Sequence, residues 1–274
     1  MILRDVWFER GGVRLHAVEA GPVDGPLYIL LHGFPEFWYG WRKQIPALAD
    51  AGYRVVVPDQ RGYNLSSKPE DVKAYAVPEL VADVMAIADG RTFRLAGHDW
   101  GAAVAWSLAL GQPVQVEKLT ILNVPHPAVM MRHLMGDFGQ MVRSWYVLFF
   151  QLPFAPEALF RLTGRQTLLR TSRPGTFTDA DLQKYEEAWA QPGSVTAMIN
   201  WYRALLRAPA PPPKDRTVQV PTTVIWGKKD LFLKQEMAEE SVHLCRDGRL
   251  VYLEDATHWV QHEAADRVNE LLLE

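Results

Sequence analysis

A chain of 274 residues with 48% hydrophobic and 22% charged side chains fits one large soluble domain, or a core carrying an insertion. Its net charge of -3 gives no electrostatic reason to expect nucleic acid or an anionic membrane as partner. The single cysteine, Cys245, excludes an internal disulfide, and nothing beside it suggests a thiol nucleophile or a metal site.

The start, Met1-Ile2-Leu3-Arg4-Asp5, lacks the apolar run of a signal peptide, and Val147 to Phe150 is far too short to span a bilayer. A soluble, cytoplasmic protein is the expectation. Leu27 to Leu31 is a continuous apolar run ending at His32-Gly33, which predicts a strand buried on both faces. Tyr53 to Val57 is a second, stopped by Pro58-Asp59. Pro78 opens a helix in which Leu80, Val81, Val84, Ile87 and Ala88 recur at three- and four-residue spacing. Phe93 to Ala96 predicts a strand, Gly101 to Leu110 a helix and Leu119 to Val124 another strand. Strands alternating with helices imply a mostly parallel sheet flanked by helices, an α/β architecture.

From about His126 to Pro213 no buried strand is readable, and aromatic residues interleave with helical segments. Thr178 to Asp181 resembles a helix start with Asp181 in place of the usual Glu, and Ser194 can cap the helix after Gln191-Pro192-Gly193. Ala208 to Pro213 is a stiff connector. The alternation then resumes with strands at Thr222 to Trp226 and Leu250 to Leu253 and a terminal helix from Glu263 to Leu273. The expected organisation is a core of residues 1–125 and 214–274, with residues 126–213 inserted as a helical cap.

Gly97-His98-Asp99-Trp100-Gly101 has the Gly-x-nucleophile-x-Gly frame of a sharp strand-to-helix turn, with Asp at the centre. A carboxylate there can displace a leaving group at saturated carbon and leave an alkyl ester. The competing reading is an Asp that caps the helix expected to start at Gly101. An ester-forming Asp needs a base to activate water, an acid to orient that base, and donors for the oxyanion. His258 follows the last strand and Asp230 the strand ending at Trp226, so nucleophile, acid and base stand in the chain order Asp99, Asp230, His258. Asn123 ends its strand at a second position open to the acid, but it is uncharged.

These residues, with His32-Gly33-Phe34-Pro35 and Pro58-Asp59-Gln60-Arg61-Gly62-Tyr63, resemble the epoxide hydrolases of the α/β-hydrolase superfamily over nearly the whole chain. The resemblance implies an α/β-hydrolase fold, no cofactor, and an oxyanion hole built from the backbone N–H groups of Phe34 and Trp100. Ring opening of an epoxide leaves an alkoxide that needs a donor. In that family two cap tyrosines serve, and Ser144-Trp145-Tyr146-Val147 and Asn200-Trp201-Tyr202-Arg203-Ala204 look like their segments. Met198, Trp201, Tyr202 and Leu205 share one helical face, which would turn Tyr202 inward.

The resemblance implies a small apolar epoxide as substrate, with no nucleic acid, membrane or metal; a homodimer is compatible with it. Trp38, Trp100, Trp145 and Trp259 adjoin these positions and are the candidates for lining an apolar pocket. His98 is expected to pack or orient, since no His, Cys and carboxylate cluster has metal-ligand spacing. Two other readings use the same fold. A haloalkane dehalogenase shares the Asp nucleophile but commonly has a halide-binding side chain where Phe34 stands, and a non-catalytic binding protein would keep the fold without turnover.

Overall fold

The computed structural model describes residues 2–111, 114–211 and 215–274. Eight strands form one sheet: β1 (Arg4–Arg10), β2 (Val13–Ala20), β3 (Leu27–Leu31), β4 (Arg54–Pro58), β5 (Phe93–His98), β6 (Val116–Leu122), β7 (Thr222–Gly227) and β8 (Gly248–Leu253). Their spatial order is β1-β2-β4-β3-β5-β6-β7-β8. Strands β4 to β8 and β3 pair in parallel, while β1–β2 and β2–β4 are antiparallel. The apolar runs at β3 and β7 are buried at every position, as strands covered on both faces require.

The β1–β2 hairpin is the part of the sheet that the apolar runs do not announce. Strand β1 (Arg-Asp-Val-Trp-Phe-Glu-Arg) sits at the edge and alternates half-buried with exposed residues, so it carries charge at both ends. On one face of the sheet Leu80, Val84, Val104 and Trp106 pack against Ile29, Leu95 and Ile121. On the other, Ile45, Leu48, Val268 and Leu271 pack against Tyr28, Leu30, Val55 and Val57.

Helices α1 (Ile45–Asp50), α2 (Val77–Ala88) and α3 (Trp100–Gly111) connect the first strands. Between β6 and β7 lie α4 (Pro127–Gly136), α5 (Phe138–Arg143), α6 (Trp145–Phe149), α7 (Ala155–Thr171), α8 (Asp179–Trp189) and α9 (Ser194–Arg207). The chain ends with α10 (Glu236–Val242), α11 (Val260–Glu263) and α12 (Ala265–Leu273). No described helix is long and apolar enough to cross a membrane.

Local readings fared unevenly. Thr178 and Asp181 do form a capping box at α8. Ser194 is not a cap: Gly193, at φ 76°, holds that position, and Ser194 is already helical. The terminal helix breaks at Ala264, so α11 and α12 replace one continuous segment. The end of the Ala208 to Pro213 connector, with the 213/214 boundary, lies outside the described residues.

The α4–α9 segment is tied to the core by buried or half-buried polar groups. Trp201 Nε1 donates to the Arg61 carbonyl at 2.9 Å and Trp189 Nε1 to the Pro35 carbonyl at 2.6 Å. Gln140 donates to the Phe232 carbonyl at 2.9 Å, and Arg143 to the Asp230 carbonyl at 3.1 Å.

Candidate active site

In an open parallel sheet the loops at the carboxyl ends of the strands gather on one edge. Here that edge carries Phe34 after β3, Asp99 after β5, Asp230 after β7 and His258 after β8. Asp99 occupies the left-handed region at φ 49°, a conformation that costs a non-glycine residue about 1–2 kcal/mol. The turn closes only because its neighbours are small: a Cβ on Gly101 would overlap the Leu31 carbonyl, and one on Gly33 the Asp99 side chain.

The helix-capping alternative for Asp99 fails on geometry. Helix α3 starts at Trp100, and the Asp99 backbone carbonyl takes the Ala102 and Ala103 N–H groups at 3.0 and 3.1 Å. The Asp99 side chain points elsewhere. Its Oδ1 accepts the Phe34 backbone N–H at 2.7 Å, and its Oδ2 lies 3.5 Å from His258 Nε2.

His258 Nδ1 donates to Asp230 Oδ2 at 2.7 Å. Asp230 Oδ1 accepts the Phe232 and Leu233 N–H groups at 2.7 and 3.0 Å, which fixes the carboxylate plane. Asn123 holds the Asp230 carboxylate: Nδ2 donates to Asp230 Oδ2 at 2.7 Å while Oδ1 accepts the Gly227 N–H at 3.0 Å. Burial would lower the His258 imidazole, but the Asp230 charge and hydrogen bond, joined by Asp99, push it up to about 10. Burial works against the Asp99 charge, yet His258, His98 and the Phe34 N–H hold its carboxyl below the usual range. The resting trio is an imidazolium between two carboxylates.

Tyr146 on α6 and Tyr202 on α9 face each other with ring centroids 5.9 Å apart. Tyr202 is 5% exposed and packs edge-on against Trp100 at 5.1 Å and Phe34 at 5.3 Å. Tyr146 packs on Phe232 at 6.0 Å, which in turn packs on His258 at 5.2 Å. Burial, then the Asp99 charge, raises both phenols, so each stays a protonated donor.

Of the candidate pocket tryptophans, Trp100 packs directly on Tyr202. Trp145 is 59% exposed and packs on Phe149, because α6 turns Tyr146 inward and the side chain before it outward. Trp38 packs between Phe37 and Tyr39. Trp259, 2% exposed, packs on His258 at 5.4 Å and donates from Nε1 to Thr171.

A buried carboxylate below the site has no counterpart in the sequence reading. Glu36 is 1% exposed and accepts from Tyr185 at 2.7 Å, His262 Nε2 at 2.6 Å and Gln261 at 2.9 Å, with His98 Nδ1 at 3.2 Å. His98 Nε2 donates to the His258 carbonyl at 2.8 Å, so the residue before the nucleophile holds the loop of the base. Burial disfavours the Glu36 charge, but His262 and His98 keep its carboxyl well below the ordinary value. A charged residue directly after an otherwise apolar His-Gly-Phe-Pro stretch was the available signal, since carboxylates go inside only when paired. Among the described residues, no group of three His, Cys, Asp or Glu side chains could hold a metal ion.

Two carboxylates and an imidazole meet at the same sheet edge in the chain order Asp99, Asp230, His258, and the α/β hydrolase fold family matches residues 26–265. The AB hydrolase superfamily protein YfhM of Bacillus subtilis (strain 168) is 47% identical over 271 residues, covering 96% of this chain and 94% of the relative. Epoxide hydrolase 2 of Caenorhabditis elegans is 37% identical over 94% of this chain and 75% of its own length. A solved structure described as novel epoxide hydrolases of the superfamily, from metagenomes of hot environments, superposes with a TM-score of 0.88 at 35% identity, covering 100% of this chain and 99% of that one. The chain belongs to the epoxide hydrolase family of the α/β-hydrolase superfamily.

Proposed function

We propose that this chain adds water to an apolar epoxide to give a vicinal diol, through a covalent ester on Asp99. The observation that carries the reading is the pair of tyrosines in ring contact at 5.9 Å, with Tyr202 packed on Trp100 and Phe34, the residues that flank Asp99 in chain and in space. The aromatic walls around them suit an apolar substrate.

In this reading Asp99 Oδ2 attacks a ring carbon, the C–O bond breaks, and the leaving oxygen takes a proton from Tyr146 or Tyr202. Esterification removes the Asp99 charge, one of the charges that raise His258. His258 then gives up its proton, which restores the tyrosine, and becomes a neutral base oriented by Asp230. It deprotonates water, the hydroxide attacks Cγ, and the oxyanion forms at Oδ1 on the Phe34 and Trp100 N–H groups. Collapse releases the diol with Oδ2 and leaves the carboxylate beside an imidazolium, as at the start. Residues 126–213 act as the cap that supplies the two donors.

The oxygen that enters the diol in the first turnover is therefore the enzyme's own. With enzyme in excess over epoxide in ¹⁸O-water, the label is expected in the Asp99 carboxylate and not in the diol. Label in the first diol released would overturn the covalent route. Halide release from haloalkanes without diol from epoxides would replace the substrate class and keep the nucleophile.

A further inference from the structure

The residue after Tyr202 is an arginine whose buried guanidinium is surrounded by polar partners of its own. The side chains of Arg203 and Glu157 are 7% and 8% exposed, and they pair through Nη1–Oε1 at 2.7 Å and Nη2–Oε2 at 3.2 Å. The guanidinium also donates to the Phe150 carbonyl at 3.1 Å from Nε, the Leu152 carbonyl at 2.6 Å from Nη2, and Asn200 Oδ1 at 3.1 Å from Nη1. Gln151, between those two carbonyls, donates to the backbone carbonyl of Tyr202 at 2.9 Å.

Those carbonyls lie in the turn that follows α6, the five-residue helix that carries Tyr146. So short a helix has no stability of its own and depends on what holds the turn after it. Arg203 reaches that turn from α9, the helix that carries Tyr202, while Gln151 in the turn donates back to the Tyr202 carbonyl. We propose that Arg203, held by Glu157, is the positioning residue that sets the spacing between Tyr146 and Tyr202. The inference rests on the proposed role of those tyrosines. A buried ion pair is a poor device for stability alone, because an apolar pair of similar volume usually serves as well or better. Its fixed fork of donors, however, defines where the turn after α6 lies. Lysine could keep the charge against Glu157, but it has no planar fork to hold two carbonyls at once.

The test measures ester formation and ester hydrolysis separately in single turnovers of Arg203→Lys, Glu157→Gln, Tyr146→Phe and Arg203→Lys/Tyr146→Phe. A donor displaced by a fraction of an ångström is expected to slow ester formation in Arg203→Lys by about ten- to a hundredfold, with hydrolysis by His258 kept within about twofold. The double variant is expected to be little slower than Tyr146→Phe alone, because Arg203 acts through the tyrosine. Glu157→Gln keeps the shape and is expected to show the same selectivity for the first step; it carries the test should Arg203→Lys fail to fold. Equal losses in both steps, full activity, or effects that multiply in the double variant would overturn the inference while leaving the tyrosines' role intact. Ester formation unaffected by Tyr146→Phe would remove that role, and the positioning claim with it.

Discussion

Oδ1 of Asp99 sits 2.7 Å from the Phe34 N–H, so the two oxygens of the nucleophile are already distinct before any substrate arrives. In the proposed mechanism Oδ1 occupies the donor site where negative charge develops, and Oδ2, 3.5 Å from His258, is the oxygen that attacks. The proposed ester would then form with its carbonyl already on the Phe34 donor, which is how preorganised donors are most effective.

With this division of labour His258→Gln is expected to form the ester and stall. Intact-protein mass spectrometry should find a stoichiometric increment equal to the epoxide, and turnover should fall by roughly 10²–10⁴-fold. Unmodified protein throughout a slow reaction would contradict the role given to His258.

Asp230→Asn keeps the shape and removes the charge that Nδ1 of His258 leans on at 2.7 Å. Ester hydrolysis is expected to drop by about 10²-fold or more, with ester formation less affected. Asn123→Ala leaves the Asp230 charge and removes one of its donors, so its loss on the same step should be about tenfold or less.

The same coupling has a sign in stability. His258 is raised in the folded chain from an ordinary value of 6.5 to about 10. Its contribution is complete below pH 6.5 and disappears as pH climbs through 10. Denaturant midpoints measured across that window should therefore fall more in the parent chain than in Asp230→Asn. Parallel slopes would mean that the imidazolium is not held by Asp230.

Phe160 packs against Phe34 at 5.4 Å and Trp189 at 5.0 Å, and it lines a cavity of about 430 Å³ with Trp189, Arg161 and Val195. Phe160→Ala is expected to join that space to the site and shift kcat/KM toward epoxides with bulky aromatic substituents by about tenfold. The truncation should cost about 3 kcal/mol or more of stability. An unchanged ratio between bulky and small epoxides would place substrate elsewhere.

The parts of the molecule readable in advance share a property: their signal is local. Strands β3, β5, β6 and β7 are apolar runs because both faces are covered, and the nucleophile turn needs glycines wherever it occurs. Strand β1 escaped because an edge strand is half wet and its composition resembles a loop. Trp145 and Tyr146 show another limit, since adjacency in a helix places neighbours on different sides. The Asn123 role, and the partners of Glu36 beyond the bare signal of a charge beside an apolar stretch, were unreadable for a different reason. Both depend on partners 62 or more residues away that only the finished sheet edge brings together, as with His98, Asp230 and His262.

Glu36 also bears on how the helical layer is held. Its partner Tyr185 lies on α8, and Trp189 and Trp201 fasten the same region to Pro35 and Arg61, while Gln140 and Arg143 tie down the α5 side. A helical layer swinging away as one body would have to break all five of these hydrogen bonds at once, although Glu36 would keep His262, His98 and Gln261 beside it. The rings beside Asp99 are therefore framed by helices pinned to the core, and their spacing is set from outside the ring cluster as well as within it.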